Sequence, residues 1–474
     1  MRNKNIYYYL GIVLLGFSLT LIFPMIVAIH YHEHINAFLV PLIITLVLGS
    51  ILNLTIKKSG ELYAKDGFII VALSWIVISI LSAIPYMLNC HLSFFDAFFE
   101  SASGLSTTGA SIMKDVEVLD KSILFWRSFT HFLGGMGVLA FVMAIVPLSK
   151  QDKSMHVLKA EMPGPNVAKL VPSLKKTLFF LYAIYIGLTL LEFILLLIGK
   201  TKVFDSMLIC FGTAGTGGFS LLNSSIASYS TFSKWVIAIF MLLFGVNFNI
   251  YFLILMKDLK SVFKSEELRT YIIIYIIATT FVVLNTYKMF DSLNEAILNG
   301  AFHMSSFMTS TGYSIGNVNI FPTSCRIIVY LLMLVSACAG STCGGFKMSR
   351  LIICYKKIKM DLTKLIHPNL VKEITFEGKR IDSDTIDSTT SFLLLYVLFL
   401  IVIMFIISFD PLNLNLSEIV NATFTTFANV GLCFDISNFS AFSNLSKMVL
   451  STGMLLGRLE LFPLIVLVTN IKKA

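Results

Sequence analysis

The sequence has little charge for its length. Of its 474 residues only 13% are charged, whereas 56% are hydrophobic, and the mean hydropathy is +0.83. A water-soluble domain of this size could not hide that much apolar surface from water. The composition therefore excludes an ordinary soluble protein and predicts a chain that lies in a lipid bilayer.

Cysteine and the common catalytic motifs are also scarce. The seven cysteines are an odd number at irregular spacing, which indicates neither a disulfide framework nor a zinc site. The glycine-rich stretch FGTAGTGGFS lacks the Lys-Ser or Lys-Thr pair of a nucleotide-binding loop, because Gly218 and Phe219 stand in its place. No motif such as H-E-x-x-H is present, so an intramembrane enzyme that uses His131 or His303 is the least supported alternative. The sequence predicts no catalytic residue and no bound cofactor.

What the sequence does contain is a series of long apolar runs. Runs of about 20 residues are long enough to cross a bilayer core about 30 Å thick. The first run follows Arg2 and Lys4, but it is too long for a signal peptide and no small-residue cleavage site follows it. We predict ten spans, at residues 7–28, 35–56, 67–87, 122–146, 178–198, 235–256, 271–287, 327–345, 392–409 and 448–468.

The distribution of basic residues predicts the orientation of these spans. If the chain starts in the cytoplasm, most of its 36 lysines and arginines fall in cytoplasmic segments, as the positive-inside rule requires. Both termini are then cytoplasmic. The formal net charge of +9 is explained by topology and by contact with anionic lipids rather than by nucleic-acid binding.

Four stretches are too short or too polar to cross a membrane, yet too apolar for ordinary loops. Each begins with an acidic residue near the start of a short helical pattern, and each ends in a glycine turn. They recur at intervals of roughly 100 residues, which indicates an internal repeat. The four are FFDAFFESASGLSTTGAS (94–111), VFDSMLICFGTAGTGGFS (203–220), LNEAILNGAFHMSSFMTSTGYS (293–314) and LSEIVNATFTTFANVGLCF (416–434).

Each repeat is predicted to be a span, a half-helix with its glycine turn, and a second span. Four repeats predict an all-α integral membrane protein with a pseudo-fourfold arrangement, to which an N-terminal helix pair is added. The predicted units are residues 1–60 for the helix pair, 61–150, 151–262 and 263–360 for the first three repeats, 361–388 for a cytoplasmic linker, and 389–474 for the fourth repeat.

The glycine turns are the candidate site. Non-helical backbone at membrane depth persists only where it lines a cavity or is buried in protein. Glycine lets successive carbonyl groups point the same way, and four such sets around one axis can replace the water shell of a cation. A single turn of this kind would be an ordinary helix cap, but four between spans are hard to explain as caps. Aligned on glycine, the predicted filter residues are Thr107, Thr108 and Gly109; Thr216 and Gly217; Ser310, Thr311 and Gly312; and Asn429, Val430 and Gly431.

These stretches resemble the TrkH branch of the Trk/Ktr/HKT potassium-transporter superfamily. The resemblance extends, in family order, to four further motifs: WRSFTHFLGGMGVLAFVMAIVP (126–147), SACAGSTCGGFKMSR (336–350), HPNLVKEITFEGKRI (367–381) and LLGRLELFPL (455–464). It implies a K⁺ pore within each subunit of a homodimer in a bacterial inner membrane. It also implies a cytoplasmic, nucleotide-binding regulatory ring of the TrkA type, for which this chain contains no domain.

The resemblance also bears on ion selectivity. Gly109 stands where sodium-transporting plant relatives have a serine, which favours potassium. Leu432 and Cys433 replace the Pro-Gly that is usual in the TrkH branch, and the fourth loop is closer there to the Ktr type. A Na⁺-permeable protein, or a K⁺ symporter coupled to Na⁺ or H⁺, is therefore the alternative function.

Two features within the spans are candidates for a gate. Ten consecutive small residues at 336–345 break the eighth span, and the resemblance assigns a gating loop to this segment. Close helix packing through small residues is the alternative. Arg458 is predicted to face the pore beneath the filter, because a charge within a membrane helix is costly; snorkelling to the cytoplasmic interface is the alternative. The candidate gating residues are Gly340, Gly344, Gly345, Lys347 and Arg458.

Other charged residues have predicted roles outside the filter. Arg127 is expected to snorkel at the outer end of its span. The cluster of three histidines and Glu33 at 30–34 is either a metal site or, more simply, a solvated loop. The acids of the four half-helices either cap them or make the outer mouth negative; they are Asp96, Glu100, Asp205, Glu295 and Glu418.

Two long polar segments are candidate docking surfaces for the regulatory ring. They are residues 149–176 and 356–390, and each is explained equally well as a solvated linker.

Overall fold

The computed structural model describes residues 2–56, 64–145, 174–368, 373–436, 438–459 and 461–471. The described chain is mostly helical, as predicted. Its α-helices are α1 (Arg2–Thr20), α2 (Ile22–His30), α3 (Asn36–Thr55), α4 (Ala64–Asn89), α5 (Phe94–Leu105), α6 (Lys121–Ile145), α7 (Leu174–Ile198), α8 (Val203–Gly215), α9 (Thr231–Phe244), α10 (Phe248–Leu255), α11 (Leu259–Lys264), α12 (Glu266–Thr286), α13 (Leu293–Met308), α14 (Thr323–Val335), α15 (Met348–Ile366), α16 (Ser383–Ile407), α17 (Leu416–Phe427), α18 (Asn444–Leu459) and α19 (Phe462–Ile471). A short antiparallel hairpin, β1 (Thr375–Phe376) and β2 (Lys379–Arg380), lies between α15 and α16.

Six of the described helical segments are long and apolar enough to cross a membrane. They are Lys4–His30, Asn36–Thr55, Lys65–Asn89, Phe179–Ile198, Glu266–Met289 and Ser383–Ile407. A seventh is formed if α9 and α10, which are bent by 93° at the break between them, are one broken span. The other predicted spans correspond to α6, to α14 and its following loop, and to α18 with α19. The total of ten spans stays a prediction.

The four predicted half-helices are real helices: α5, α8, α13 and α17. Three begin with a side-chain cap, in which Ser93, Ser292 or Asn415 accepts the N–H of the third helical residue. Because the N-terminus of a helix carries partial positive charge, an acid in the first turn stabilises it. Each helix has one there, and these acids are Asp96 in α5, Asp205 in α8, Glu295 in α13 and Glu418 in α17.

The packing of the half-helices follows one rule. Each contacts the span before it and the span after it in its own repeat, so that α5 packs between α4 and α6 and α17 between α16 and α18. Each also contacts the second span of the preceding repeat: α8 against α6, α13 against α9, and α17 against α14. The first half-helix, α5, packs against α18 of the last repeat. The contacts therefore close into a cycle.

The N-terminal helices lie against the first repeat. α1 packs on α3 and α4, and α2 packs on α6. In the connection between α2 and α3, the Glu33 carboxylate accepts the backbone N–H groups of Lys121 (2.6 Å) and Ser122 (2.9 Å). This glutamate of the histidine-rich cluster thus caps the start of α6, which gives it a structural role.

Candidate functional site

The four half-helices end in turns of the same local conformation. In each turn, the backbone N–H of one residue donates a hydrogen bond to the carbonyl oxygen of the residue five positions earlier in the helix; we call this the returning hydrogen bond. These bonds run from Thr108 to Ser103 (2.9 Å), from Gly217 to Gly212 (2.8 Å), from Thr311 to Ser306 (2.9 Å) and from Val430 to Thr425 (2.8 Å). The residues just before and just after this position have positive φ. They are Thr107 and Gly109, Thr216 and Gly218, Ser310 and Gly312, and Asn429 and Gly431.

The second loop differs by one residue from the alignment made on the sequence. That alignment placed Gly217 opposite Gly109. In the structure Gly217 makes the returning hydrogen bond that Thr108 makes, and Gly218 has the positive φ of +74°. Gly218 is therefore the counterpart of Gly109, and Gly217 takes the position of Thr108. Two adjacent glycines permit either register in the sequence, and only the backbone bond distinguishes them.

The four turns contact one another in a closed cycle. At each positive-φ glycine, a Cβ atom would overlap the middle carbonyl oxygen of the next loop in the chain, and the fourth loop returns to the first. Both the φ angle and the missing space therefore require glycine at these positions. The overlapping pairs are Gly109 with Gly217, Gly218 with Thr311, Gly312 with Val430, and Gly431 with Thr108.

Burial distinguishes the same positions. The four positive-φ glycines are half-buried, whereas the middle residue of each turn is fully buried, and this assigns Gly217 to the second group. All four half-helices end at this cycle of turns, so their partly negative C-termini converge on it. A site with backbone carbonyls and helix C-termini around one point favours a cation.

A buried ion pair supports the first two loops. Arg127 and Glu100 are 2% and 0% exposed, and their Nε and Oε1 atoms lie 2.9 Å apart. Arg127 also donates to the Ser220 carbonyl (3.2 Å) and to Ser111 Oγ (3.1 Å), and its guanidinium lies 4.2 Å from the centre of the Phe219 ring. The expectation that Arg127 snorkels to the interface is wrong, because its charge is neutralised inside the protein.

Glu100 does not belong to the acids of the outer mouth. Besides Arg127, its carboxylate accepts Ser111 Oγ (3.0 Å) and the N–H of Ile112 (3.0 Å), where the chain leaves the first loop. The pair therefore connects the exit of the first loop to the exit of the second. Sequence reasoning missed this pair, although a glutamate within an apolar half-helix was the signal that could have suggested a buried partner.

The two intramembrane histidines lie behind the loops. His131 accepts the Phe219 N–H at Nε2 (3.3 Å), and its ring occupies the space where Gly217 would carry a Cβ. His303 Nδ1 lies 2.9 Å from the Asn299 carbonyl oxygen. Their contacts are those of packing residues.

The segment from Ser336 to Lys347, between α14 and α15, is not helical, and we call it the intramembrane loop. It lies against three of the four turns. The Gly344 N–H donates to Ser310 Oγ (3.0 Å), and Thr216 Oγ1 donates to the Thr342 carbonyl (3.1 Å). A Cβ at Gly344 would lie 2.7 Å from Asn429 Oδ1.

The other predicted gating residues lie on or beside this loop. The Arg458 guanidinium donates to the Thr342 carbonyl of the loop and to the Gly134 carbonyl of α6 (2.6 Å), so its side chain points into the protein. Lys347 is buried and its ammonium donates to the Cys343 carbonyl. Gly340 and Gly345 have φ values of +70° and +79°, which a residue with a side chain rarely adopts. Glu460, two residues after Arg458, lies outside the described residues.

Three further acidic residues near the turns have side-chain partners. Asp96 forms an ion pair with Lys447 (2.5 Å), and Asp205 accepts the Tyr229 hydroxyl (3.2 Å). Asp115, in the exit from the first loop, accepts the Asn223 side-chain amide and the Glu117 N–H. These hydrogen bonds, of which the Asn223 bond matters most, hold the pKa of Asp115 below its ordinary value. Lys447 thus neutralises Asp96, whereas a negative outer mouth formed by the half-helix acids together stays a prediction.

The structure describes different fractions of the two candidate docking segments. Almost all of 149–176 lies outside the described residues. Of 356–390, the structure describes the end of α15, the hairpin β1–β2 and the start of α16, but not residues 369–372.

Comparison with known proteins gives consistent matches. Residues 34–473 match a family model described as TrkH, cation transport protein. The chain is 31% identical to the Trk system potassium uptake protein TrkG of Escherichia coli, with 96% of each chain covered, and 32% identical to TrkH of the same species, with 99% of each covered. The crystal structure of the potassium transporter TrkH from Vibrio parahaemolyticus superposes with a TM-score of 0.87 at 27% identity and covers 98% of each chain.

Proposed function

Because the chain belongs to the TrkH family of cation transport proteins, whose members are transporters and not enzymes, we propose that it takes up K⁺ across a cell membrane. The ion would pass along the axis of the pseudo-fourfold ring that the four repeats form. The choice of K⁺ over other cations rests on the relatives, which are named as potassium uptake proteins.

The closed cycle of turns is the observation that carries this proposal. Four loops that each place a glycine against the next loop's carbonyl oxygen form a collar of backbone acceptors without side chains between them. Such a collar can replace the hydration shell of a cation. The filter comprises the residues predicted from the sequence, with Gly218 added as the second loop's positive-φ glycine.

The fourth loop is the least regular member of the collar. Asn429 stands where the other loops have Thr or Ser, and its amide donates to Thr108 Oγ1 (2.8 Å) and to the Met454 carbonyl (2.9 Å). Leu432 and Cys433, which follow Gly431, are a second irregularity of this loop. Because of these differences, Na⁺ permeation or coupled transport remains the alternative function.

The test is uptake of labelled Rb⁺ into proteoliposomes that contain the purified protein, with K⁺ or Na⁺ as competitor. We expect K⁺ but not Na⁺ to block uptake, and we expect Gly109→Ser to lose this discrimination, since a side chain there would strike the neighbouring carbonyl. Equal competition by Na⁺ in the wild type would favour the alternative. A wild-type protein that takes up no labelled Rb⁺ would contradict the proposal.

We further propose that the intramembrane loop is the gate. It lies against Thr216, Ser310 and the Asn429 side chain, so an ion that leaves the filter meets it directly. Arg458 holds the loop to α6 through the Thr342 and Gly134 carbonyls.

Arg458→Ala should therefore raise basal Rb⁺ uptake several-fold, because the loop loses a charged anchor worth roughly 1.5–3 kcal/mol. The K⁺ over Na⁺ preference should stay unchanged, since the filter is intact. Arg326→Ala, which removes an arginine from a partly exposed pair with Asp435, is the control for loss of charge. Wild-type uptake by Arg458→Ala at normal expression would contradict the role.

Assembly and location complete the proposal. From the family we infer a homodimer in a bacterial inner membrane and a TrkA-like nucleotide-binding ring on its cytoplasmic side. From the distribution of basic residues we infer that both termini are in the cytoplasm. The described part of 356–390 is the surface we assign to this ring.

A further inference from the structure

A buried glutamate at the start of α12 holds the intramembrane loop at Ala339, whereas Thr342 and Gly344 are the loop residues that contact the turns. Glu267 is 4% exposed, and its Oε1 accepts the Ala339 N–H at 2.7 Å. Its Oε2 lies 3.4 Å from the side-chain amide of Asn247. A buried carboxylate that accepts a backbone N–H of a loop is a strong anchor, because the hydrogen bond is charge-assisted.

The loop residues next to Ala339 are held by the bend between α9 and α10. The Cys338 N–H donates to the Gly245 carbonyl (3.1 Å), and the Phe248 N–H donates to the Gly340 carbonyl (3.2 Å). Asn247 itself caps α10 by accepting the Asn249 N–H (3.0 Å). Three successive loop residues are therefore held through their backbone groups, Cys338 and Gly340 by the bend between α9 and α10 and Ala339 by the Glu267 carboxylate.

The same turn of α12 is held by the hairpin β1–β2. One oxygen of Glu377, in the hairpin turn, accepts both Ser265 Oγ (2.8 Å) and the backbone N–H of Glu267 (2.9 Å). Glu377 and Gly378 have φ values of +49° and +72°, as in the tight turns that join two hairpin strands. The hairpin thus reaches Glu267 through its tip.

Two further contacts attach the hairpin to its neighbours. Phe376 is 3% exposed and packs in the same apolar cluster as Cys338 of the intramembrane loop and Met348 of α15. Lys356 of α15 pairs with Glu266 and also donates to the Thr375 carbonyl (2.7 Å). In the proposed topology this group of contacts lies on the cytoplasmic side.

We propose that Glu267 is a latch that couples the position of the cytoplasmic hairpin to the closed position of the intramembrane loop. Displacement of the Glu377 tip frees the first turn of α12, which withdraws the Glu267 carboxylate from Ala339 and releases the loop. The proposal rests on the proposed gate and adds a positioning residue and a route by which the cytoplasmic surface acts on that gate.

The test uses two thiols that the loop buries. Cys338 and Cys343 are 1% and 2% exposed, so a membrane-impermeant methanethiosulfonate reagent should modify them slowly while the loop is closed. The full-length protein in proteoliposomes is treated with this reagent, and modification of each cysteine is followed by peptide mass spectrometry. Basal Rb⁺ uptake is measured on the same preparations.

Glu267→Ala and Glu377→Ala should each raise the modification rate and basal uptake about tenfold, since each removes a hydrogen bond to a charged group. Glu267→Gln should restore most of the protection, because its amide oxygen still accepts the Ala339 N–H. Asp291→Ala removes a carboxylate from an exposed position beyond the other end of α12 and should match the wild type, since it lies far along the chain from the hairpin and the intramembrane loop.

Wild-type modification rates in Glu267→Ala, or in Glu377→Ala if the first variant does not fold, would overturn the latch. A Glu267→Gln variant as reactive as Glu267→Ala would overturn the assignment of the Ala339 hydrogen bond. Failure of the transport proposal is distinguishable, because then no variant takes up Rb⁺ while the cysteine rates still report on the loop.

Discussion

Gly218→Ala should abolish selective uptake. The residue has a φ of +74°, which costs an L-residue roughly 1–2 kcal/mol, and a Cβ there would overlap the Thr311 carbonyl oxygen of the next loop. Backbone cannot yield as a flexible side chain can, so the collar of carbonyls must open at this point. We expect Rb⁺ uptake to fall at least about tenfold, or the K⁺ over Na⁺ preference to disappear.

The neighbouring glycine gives a sharper test of the register. A Cβ at Gly217 would overlap the imidazole of His131, not the backbone, and the φ of Gly217 lies outside the positive region. Gly217→Ala should therefore be rescued in part by His131→Ala, which makes room, whereas the same second substitution should not rescue Gly218→Ala.

Gly187→Ala is the control for these variants. Gly187 lies in α7, and nothing lies within 4 Å of the position of an added Cβ, so uptake should stay at the wild-type level. Selective uptake by Gly218→Ala, together with loss of uptake in Gly217→Ala/His131→Ala, would restore the register given by the sequence alignment.

The second large effect is expected at the buried ion pair. Arg127→Met leaves the Glu100 carboxylate buried without its partner, and breaking a pair in this way typically costs roughly 3–5 kcal/mol. The apparent melting temperature of the detergent-solubilised protein should fall clearly. Because Arg127 also holds Ser111 and Ser220, at the exits of two loops, selective uptake should fall as well.

Two companion variants show whether burial is the cause. Arg127→Met/Glu100→Gln removes both charges and should regain part of the lost stability. Arg326→Met breaks a partly exposed pair with Asp435, whose side chains are 23% and 32% exposed, together with hydrogen bonds to the Phe321 and Asn319 carbonyls, and should cost clearly less than Arg127→Met. Equal losses in Arg127→Met and Arg326→Met would contradict the role assigned to the buried pair.

Much of this architecture follows from local chemistry that the sequence carries. The length of an apolar run indicates a membrane span, and an acid such as Asp96 or Glu418 at the start of a short apolar pattern indicates a helix N-terminus. A glycine that closes such a helix, after threonine in three of the stretches and after valine in the fourth, indicates the turn. These signals involve residues within a few positions of one another, so the fold class and three of the four glycines could be read without coordinates.

Contacts between distant segments could not be read in this way. Whether Gly217 or Gly218 faces the next loop depends on which N–H returns to the Gly212 carbonyl, and two adjacent glycines look alike in a sequence. The prediction that Arg127 snorkels was wrong because its partner Glu100 lies in another helix. The pair neutralises a charge that would otherwise be stable only at the membrane interface. The cyclic packing of the loops and the contact of Glu267 with Ala339 join residues far apart in the chain. Such pairings depend on how whole helices pack, since the energy of a buried charge or of a crowded backbone is set by neighbours that the local sequence does not contain.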